Sequence, residues 1–395
     1  MKAGWQTKKL GELCEVFADG DWVESKDQSP EGIRLIQTGN VGQGVFKDRG
    51  EKARYISEET FKRLRCTEIF ESDCLISRLP DPVGRSCLLP DTSERMITAV
   101  DCTIVRFKQD QLLPEFFNFY SQSCEYLQDI DSETTGTTRK RISRSKLGEV
   151  KIPLPPLPEQ QRIVAILDEA FEGIAIAKAN AEKNLHNARA LFESHLQAVV
   201  STGGTDWVDR KLGDVCELYQ GLCINAKTKH LLVESSSIPL LRIKDLRENS
   251  AEQFVAETGW PKNSQVKESE IIYTRTGQIG LVFRGRSGIM HNNCFKVIPK
   301  AELDNNYLFW WLQNPVFRSR IITLASKAAQ PDITHQLFKT QPIQIPPVAD
   351  QEKIAATLDK MKQEAENLES IYQQKLSALD ALKKSLLNQA FKGEL

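Results

Sequence analysis

Several loops in the first half of the sequence carry the amide, hydroxyl and guanidinium groups that contact nucleic acids. One set follows a predicted strand at residues 33–37, and a second flanks the proline-containing turn at residues 80–84. A third fills the stretch between Glu133 and Glu149, which has basic residues but no acid. Amides and guanidinium groups can read base edges in a DNA groove, and cations bind phosphates. The predicted DNA contacts are Gln37, Thr38, Asn40, Arg78, Arg85, Thr138, Arg139, Lys140, Arg141 and Arg144.

Loops at matching places in the second half carry the same kinds of group. Bulk charge gives no such signal, because 52 basic and 53 acidic residues leave a net charge of −1. A neutral protein can still form a local phosphate-binding patch where basic residues cluster without acids. The candidates in the second half are Arg242, Lys244, Arg275, Thr276, Gln278, Lys327 and Gln330.

Motifs for catalysis are missing from the sequence. A DNA amino-methyltransferase would carry an Asn/Asp-Pro-Pro-aromatic motif, and the nearest stretch, at residues 314–317, lacks the second proline. No Gly-x-x-x-x-Gly-Lys-Ser/Thr loop for ATP is present. The nine cysteines include no Cys-x-x-Cys pair, and the five histidines fall at no ligand spacing with them. We therefore expect no catalytic residue, no metal site and no cofactor in this chain.

Two long amphipathic helices are predicted to connect and position these loops. Each follows a proline-rich lead-in, at residues 152–158 and 345–347, because proline is excluded from helix interiors but accepted at the first turn. Behind each lead-in, apolar residues recur about every 3.6 residues, the period of one helix face. The stripes include Ile163, Leu167, Ile174, Leu185 and Phe192 in the first helix, and Ile354, Leu358, Leu368, Leu379 and Leu386 in the second.

The two helices are expected to pack on each other rather than flank a domain separately. A helix of about 40 residues is roughly 60 Å long, and its narrow stripe cannot be buried by one domain alone. Pro346 follows Pro155 by 191 residues, and residues 155–168 align without a gap on residues 346–359. The repeated lead-in favours a helix pair, while two ordinary amphipathic helices are the alternative.

The rest of the chain repeats in the same order. Residues 5–16 match residues 207–218, and residues 72–78 match residues 269–275. Short apolar runs bounded by Gly, Pro and Asp predict strands in both copies, such as residues 239–243 in the second copy. Aromatic-rich segments near residues 114–124 and 306–312 predict helices that pack on a sheet. The fold class is therefore mixed α/β and duplicated. We predict domains at residues 1–158 and 205–349, a central helix and linker at 159–204, and a terminal helix at 350–395.

The lead-in Pro-Leu-Pro-Pro-Leu-Pro-Glu-Gln-Gln-Arg-Ile at residues 153–163 resembles that of the specificity subunits of type I restriction-modification systems, and the resemblance covers essentially the whole chain. It implies two pseudo-repeated α/β target-recognition domains separated by two long helices packed as an antiparallel coiled coil. The loop Arg275-Thr276-Gly277 resembles a common loop of this family, whereas Arg78-Leu79-Pro80 departs from it.

The resemblance also implies a function without catalysis in this chain. Double-stranded DNA with a bipartite, asymmetric site would be read, and adenine methylation and ATP-dependent cleavage would belong to partner subunits. The expected partners are two methyltransferase subunits bound to the long helices, together with restriction and translocase subunits. S-adenosylmethionine, ATP and magnesium are expected in those partners.

Two other functions are compatible with the sequence. One is a coiled-coil interaction scaffold without sequence-specific DNA binding, and the other is a self-sufficient DNA methyltransferase. No apolar run approaches 18 residues and the first residues do not form a signal peptide, so we expect a cytoplasmic protein that does not contact a membrane.

Overall fold

The computed structural model describes residues 4–136, 139–201, 203–326 and 331–395. The chain divides into two compact units: Met1–Glu182 with Gln374–Leu395 form unit 1, and Lys183–Gln373 form unit 2. This division cuts both long helices, so each unit combines one α/β domain with one part of each helix. The predicted bounds of two domains, a central helix and a terminal helix stay a prediction, because the two compact units follow spatial contacts and not segments of the sequence.

Unit 1 contains two four-stranded sheets and a two-stranded ribbon. Its strands are β1 (Gln6–Lys9), β2 (Cys14–Asp19), β3 (Gln28–Ser29), β4 (Ile33–Ile36), β5 (Tyr55–Ile56), β6 (Cys74–Ser77), β7 (Ser86–Leu88), β8 (Met96–Thr98), β9 (Cys102–Phe107) and β10 (Lys151–Leu154). Its domain helices are α1 (Glu58–Leu64), α2 (Pro114–Tyr120), α3 (Cys124–Glu133) and α4 (Arg144–Glu149). The sheets have the orders β2-β9-β6-β7 and β3-β5-β4-β8, and β1 pairs with β10.

Unit 2 repeats the main sheet and the ribbon. The first long helix, α5 (Leu157–Ser201), begins in unit 1 and ends in unit 2. The strands of unit 2 are β11 (Val208–Lys211), β12 (Cys216–Gln220), β13 (Leu232–Val233), β14 (Leu240–Leu241), β15 (Phe254–Val255), β16 (Gln265–Val266), β17 (Ile271–Thr274), β18 (Val282–Phe283), β19 (Gly288–Met290), β20 (Cys294–Pro299) and β21 (Pro342–Ile345). The helices are α6 (Leu212–Val215), α7 (Ile243–Glu248), α8 (Asn305–Leu312), α9 (Pro315–Ala325), α10 (His335–Lys339) and the second long helix α11 (Val348–Lys392). The order β12-β20-β17-β18 and the pair β11–β21 confirm the predicted duplication.

One glycine in each unit shows how closely the two copies agree. Gly20 donates its N–H to the Cys102 carbonyl at 2.9 Å, and Gly221 donates to the Cys294 carbonyl at 3.2 Å. A Cβ on Gly20 would lie 2.3 Å from the Ala99 oxygen, and a Cβ on Gly221 would lie 2.3 Å from the His291 oxygen. Only glycine allows this backbone approach, so the first strand of both main sheets ends in the same way.

The aromatic helices pack into the cores, as predicted. In unit 1, Phe116 and Phe117 of α2 are fully buried, and the Phe117 ring lies 5.0 Å from the Phe107 ring of β9. In unit 2, Tyr307 is fully buried and Trp310 is nearly so. These rings form the contact between helix and sheet, and they are not available to stack on bases.

A buried glutamine explains the repeated lead-in to the long helices. Gln160 accepts a hydrogen bond from the Leu113 N–H at 2.9 Å and donates to the carbonyls of Gln111 at 2.8 Å and Pro155 at 2.9 Å. In unit 2, Gln351 accepts from the Asp304 N–H and donates to the carbonyls of Glu302 and Pro346, at 2.6, 3.0 and 2.9 Å. Each glutamine thus ties the helix start to the loop before the aromatic helix.

The long helices run antiparallel to each other within each unit. In unit 1, the Arg162 guanidinium near the start of α5 donates to the Leu395 carbonyl at 2.7 Å, and Ile163 and Leu167 share a core with Leu387 and Phe391 of α11. In unit 2, the later residues of α5 contact the earlier residues of α11, since Arg189 pairs with Glu369 at 2.9 Å. The predicted antiparallel pair is confirmed.

Much of the apolar stripe is covered within the chain, as expected for two helices that pack on each other. Ile163, Leu167 and Leu358 are fully buried and Ile174 is 6% exposed, because the seam and the domain cores need these side chains. Leu185, Phe192, Ile354, Leu379 and Leu386 are half-buried, and Leu368 is 42% exposed. Binding of partner subunits to the long helices stays a prediction.

Candidate nucleic-acid interface

Three loops of unit 1 meet at one edge of the main sheet. Strand β2 ends at Asp19, β6 ends just before Arg78, and β9 begins just after Asp101. Because β9 is antiparallel to both β2 and β6, the ends of two strands and the start of the third lie at the same edge. The predicted loop at residues 139–144 joins them, since the Ile142 N–H donates to the Arg78 carbonyl at 3.3 Å.

Arginine and aspartate side chains alternate at this edge. Arg78 lies 3.3 Å from Asp19, Arg144 lies 3.5 Å from Asp19, and Arg141 lies 2.9 Å from Asp101. Arg78 is only 4% exposed, and burial lowers its pKa. Arg141 and Arg144 are exposed, so the predicted arginines come together as one buried and two accessible cations.

Two other predicted basic residues lie on the same loop. Lys140 is exposed and pairs with Asp131 of α3 at 2.6 Å. Arg139 is exposed and has no ion-pair partner among the residues that the structure describes. Thr138 lies outside the described residues, so its place in the interface stays a prediction.

Arg85 and Asn40 have interior roles that differ from the predicted DNA contact. The Arg85 guanidinium donates to the carbonyls of Val41, Leu79, Pro82 and Thr38 at 2.6–3.0 Å, and the side chain is 8% exposed. Asn40 is 7% exposed, donates to the Lys47 carbonyl and accepts from the Gln37 N–H. With these groups already bonded inside the protein, Arg85 and Asn40 hold loops together. Gln37 and Thr38 are half-buried beside them.

The matching edge of unit 2 has a different set of charges around its arginine. The Arg275 N–H donates to the Asn293 carbonyl at 2.9 Å, just as the Arg78 N–H donates to the Asp101 carbonyl. The Ile333 N–H donates to the Arg275 carbonyl at 3.0 Å. By these bonds Asn293 corresponds to Asp101, and Asp332, which precedes Ile333, corresponds to Arg141. The Arg275 side chain forms an ion pair with Asp332, and its Nη1 donates a hydrogen bond to Gln220 at 3.1 Å.

The remaining candidates of unit 2 that the structure describes lie at the start of α7 and in the loop after β17. Arg242 and Lys244 both pair with Glu252, and Arg242 also pairs with the buried Asp245. Gln278 is exposed and accepts from Arg247 at 3.0 Å. The Thr276 hydroxyl is buried and has no hydrogen-bond partner within the described part of the chain. Lys327 and Gln330 lie outside the described residues.

The acids beside these arginines were missed by the sequence prediction. Four acids each pair with a predicted DNA-binding cation: Asp19, Asp101, Asp332 and Glu252. The three aspartates are far from their partners in the sequence, and Glu252 lies on the other side of α7 from Arg242. Because these acids lie outside the acid-free basic stretches, those stretches do not reveal them. The corresponding glycines Gly20 and Gly221 mark equivalent strand ends, but the acids themselves left no signal in the sequence.

No group of three or more His, Cys, Asp or Glu side chains among the described residues is placed to hold a metal ion. Every helix in the described part of the chain is too short or too polar to span a bilayer.

Comparison with known proteins gives a consistent result. The family model of the type I restriction modification DNA specificity domain matches residues 2–186 and again residues 204–376. The EcoBI specificity subunit of Escherichia coli is 22% identical over 324 residues, covering 74% of this chain and 68% of that protein. The putative MjaX specificity subunit of Methanocaldococcus jannaschii is 21% identical, covering 99% of this chain and 93% of that protein.

Two solved structures share the fold over the whole chain. A structure described under complex assembly and conformational transition of the type I R-M system has a TM-score of 0.82 at 18% identity, covering 100% of this chain and 99% of its own. The HsdS subunit from Thermoanaerobacter tengcongensis has a TM-score of 0.64 at 18% identity, covering 100% and 98%.

Proposed function

The chain belongs to the type I restriction modification DNA specificity family, and from this premise we propose that each of its α/β domains reads one half of a bipartite, asymmetric DNA site. The observation that carries the proposal is the pair of matching sheet edges. Each edge has one arginine at the same backbone position, Arg78 or Arg275, and the groups around it differ. One scaffold with two different charge patterns suits two different target sequences.

The exposed cations of unit 1 are proposed to bind phosphates. Lys140, Arg141 and Arg144 are exposed and already paired with carboxylates, so DNA phosphates would exchange with those carboxylates. Since part of the cationic charge is offset in the free protein, binding would depend less steeply on salt than a count of cations suggests. Arg139, with no such partner among the described residues, would contribute a full phosphate contact.

Base recognition is proposed to come from the loops that end at the sheet edges. In unit 2, Gln278 is exposed on such a loop, and Lys244 is exposed in helix α7, whose Arg247 donates to Gln278. Amides and cations can bond to purine edges in the major groove. Thr138, Lys327 and Gln330 stay in the proposal on their sequence position alone. Arg85 and Asn40 leave it, because their polar groups are bonded inside the protein.

Methylation and cleavage are proposed to be the work of partner subunits. Two methyltransferase subunits would use S-adenosylmethionine to methylate adenine, and restriction subunits would use ATP and magnesium. Apolar side chains on outward faces of the long helices could contact them. Ile176 is 57% exposed, Leu191 is 67% exposed, and Leu382, which follows Leu191 by 191 residues, is 46% exposed.

Selection from a random-sequence DNA library tests this function. The purified chain, assembled with its methyltransferase partners, should enrich two short sequences at a fixed gap. An assembly that forms but enriches no sequence would leave an interaction scaffold. Transfer of methyl groups by this chain alone would instead indicate a self-sufficient methyltransferase.

A further inference from the structure

Two ion pairs join the long helices, one in each unit. In unit 1 the Lys178 ammonium of α5 pairs with Asp380 of α11. In unit 2 the Arg189 guanidinium of α5 lies 2.9 Å from Glu369 of α11.

These two pairs occupy equivalent positions of the sequence repeat. Glu369 follows Lys178 by 191 residues, and Asp380 follows Arg189 by the same 191 residues, which is the separation of the two lead-ins. The helices therefore have the same two seam positions, but α5 has a cation at both and α11 has an acid at both. A sequence duplication alone would have placed the same charges on both helices.

A second pair of contacts repeats this asymmetry. The Lys383 ammonium of α11 lies 4.5 Å from the Phe171 ring of α5 in unit 1, and the Lys362 ammonium of α11 lies 5.4 Å from the Phe192 ring of α5 in unit 2. Lys362 follows Phe171 by 191 residues, and Lys383 follows Phe192 by 191 residues. Again the two positions carry one residue type on α5 and the complementary type on α11.

A pair formed by two copies of the same helix would bring like charges together. Because the seam positions are equivalent, an antiparallel α5–α5 pair would place Lys178 opposite Arg189. An α11–α11 pair would place Glu369 opposite Asp380 and Lys362 opposite Lys383. Each of the two ion pairs thus becomes a repulsion between like charges in a like pair, and the two lysines also face each other, whereas the two phenylalanines do not repel.

We propose that these charges make the seam selective: α5 accepts α11, and each helix rejects a second copy of itself. Such complementary charges set partner choice in coiled coils, and the rejection of a wrong partner needs repulsion as well as attraction. A duplicated protein needs this selection, because its two halves retain the same apolar stripe and could otherwise form like pairs between chains. The proposal concerns helix pairing and does not rest on DNA recognition.

Two matched double variants separate attraction from rejection. R189E/D380K makes both observed pairs repulsive and makes both like pairs attractive. K178E/D380K keeps both observed pairs attractive and also makes both like pairs attractive. Each variant exchanges one cation and one acid, so the net charge of −1 is unchanged and a general charge effect cancels.

The test uses the full chain with a protease site inserted between Gly204 and Thr205, which are exposed. The folded protein is cut into an N-terminal half (residues 1–204) and a C-terminal half (residues 205–395). Tagged and untagged preparations are mixed so that halves can exchange, and native mass spectrometry counts unlike and like pairs. Since each exposed ion pair changes an equilibrium constant by a few fold, four such changes together should shift the ratio at least about tenfold.

We expect unlike pairs alone from the unmodified chain. K178E/D380K should give unlike pairs together with like pairs, and R189E/D380K should give mainly like pairs. High salt should weaken these differences. Like pairs at statistical abundance from the unmodified chain would overturn the proposal. So would the same ratio from all three proteins at low salt. If R189E/D380K fails to fold, K178E/D380K still decides, because its observed pairs remain attractive.

Discussion

The arginines at the two sheet edges have the same backbone position but different side-chain surroundings. The backbone bonds of Arg78 and Arg275 are equivalent, yet the guanidinium of Arg78 is nearly buried beside Asp19 while that of Arg275 is partly open beside Asp332. Both copies thus keep an arginine at this position, but the two guanidinium groups differ in how accessible they are to a ligand. The sequence supplied the arginines as candidates, but burial and acid partners arise only from folding, so the availability of each could not be predicted.

Arg85 and Arg139 give a matched test of interior and surface roles. Arg85→Ala removes the donors to four carbonyls in two loops, so the free energy of unfolding should fall by about 2–4 kcal/mol. Arg139→Ala should change it by less than about 0.5 kcal/mol. Urea unfolding measures both changes.

DNA binding should respond in the opposite way. Arg139→Ala should lower the slope of log affinity against log salt by about one phosphate contact, and Arg85→Ala should leave that slope unchanged wherever the protein is folded. Equal stability losses for the two variants would contradict the assigned roles.

Asp21 should make unit 1 sensitive to pH. Burial raises the pKa of Asp21 to about 6, against an ordinary value of 3.8, and its counterpart Leu222 sits in an apolar core. The folded state then binds the proton more tightly than the unfolded state. The contribution of Asp21 to stability is therefore fully present below about pH 4, is lost as the pH rises to about 6, and is absent above that.

The variant Asp21→Asn should remove this pH dependence. Its amide oxygen can still accept from the Thr67 N–H, which lies 3.0 Å from the carboxylate. At pH 8 the variant should be more stable than the unmodified chain by about 1–2 kcal/mol, allowing for partial exposure, and at pH 4 the gain should vanish. Chemical unfolding at both pH values measures this, and an equal difference at pH 4 and pH 8 would contradict it.

The long helices are the elements that the sequence predicted most accurately. Their 3.6-residue period persists over many turns, so the predicted starts at residues 159 and 350 lie two residues from Leu157 and Val348. Short elements were harder. A strand predicted at residues 239–243 is only Leu240–Leu241, because Asp245 accepts from the Arg242 N–H at 3.1 Å and starts α7 at Ile243. A local cap decided that boundary, and an apolar run cannot reveal a cap.

The lead-in glutamine should be essential for joining helix to domain. Gln160→Leu leaves the Leu113 N–H and two carbonyls buried without partners, so unfolding free energy should fall by about 2–4 kcal/mol. Gln161→Leu is the control, since Gln161 is exposed on the same turn and should cost less than about 0.5 kcal/mol. Thermal unfolding compares the two, and similar midpoints would contradict the role of Gln160.

The whole molecule is one α/β design used twice and linked by paired helices. Matching segments in the same order were enough to predict this duplication, because frame residues such as Gly20 and Gly221 serve the same backbone contact. The sequence did not predict how the chain divides into compact units. Each unit takes a part of both helices, and such pairing depends on contacts between distant residues.

The lengths of the helices should set the gap between the two half-sites. Removing residues 179–185 and 372–378 leaves the Lys178–Asp380 and Arg189–Glu369 pairs in the chain and shortens each helix by about 10 Å. At 3.4 Å per base pair, the gap in the enriched DNA site should shrink by about three base pairs. An unchanged gap in a folded, DNA-binding variant would refute this role of the helices.

Mapping of methylated adenines in a host that carries the intact system tests most directly whether each domain reads its own half-site. The unmodified chain should give one bipartite site, and the variant Lys244→Ala/Gln278→Ala in unit 2 should relax or change one half-site while the other half-site and the gap stay the same. Changes in both half-sites, or methylation at a single undivided sequence, would contradict the account.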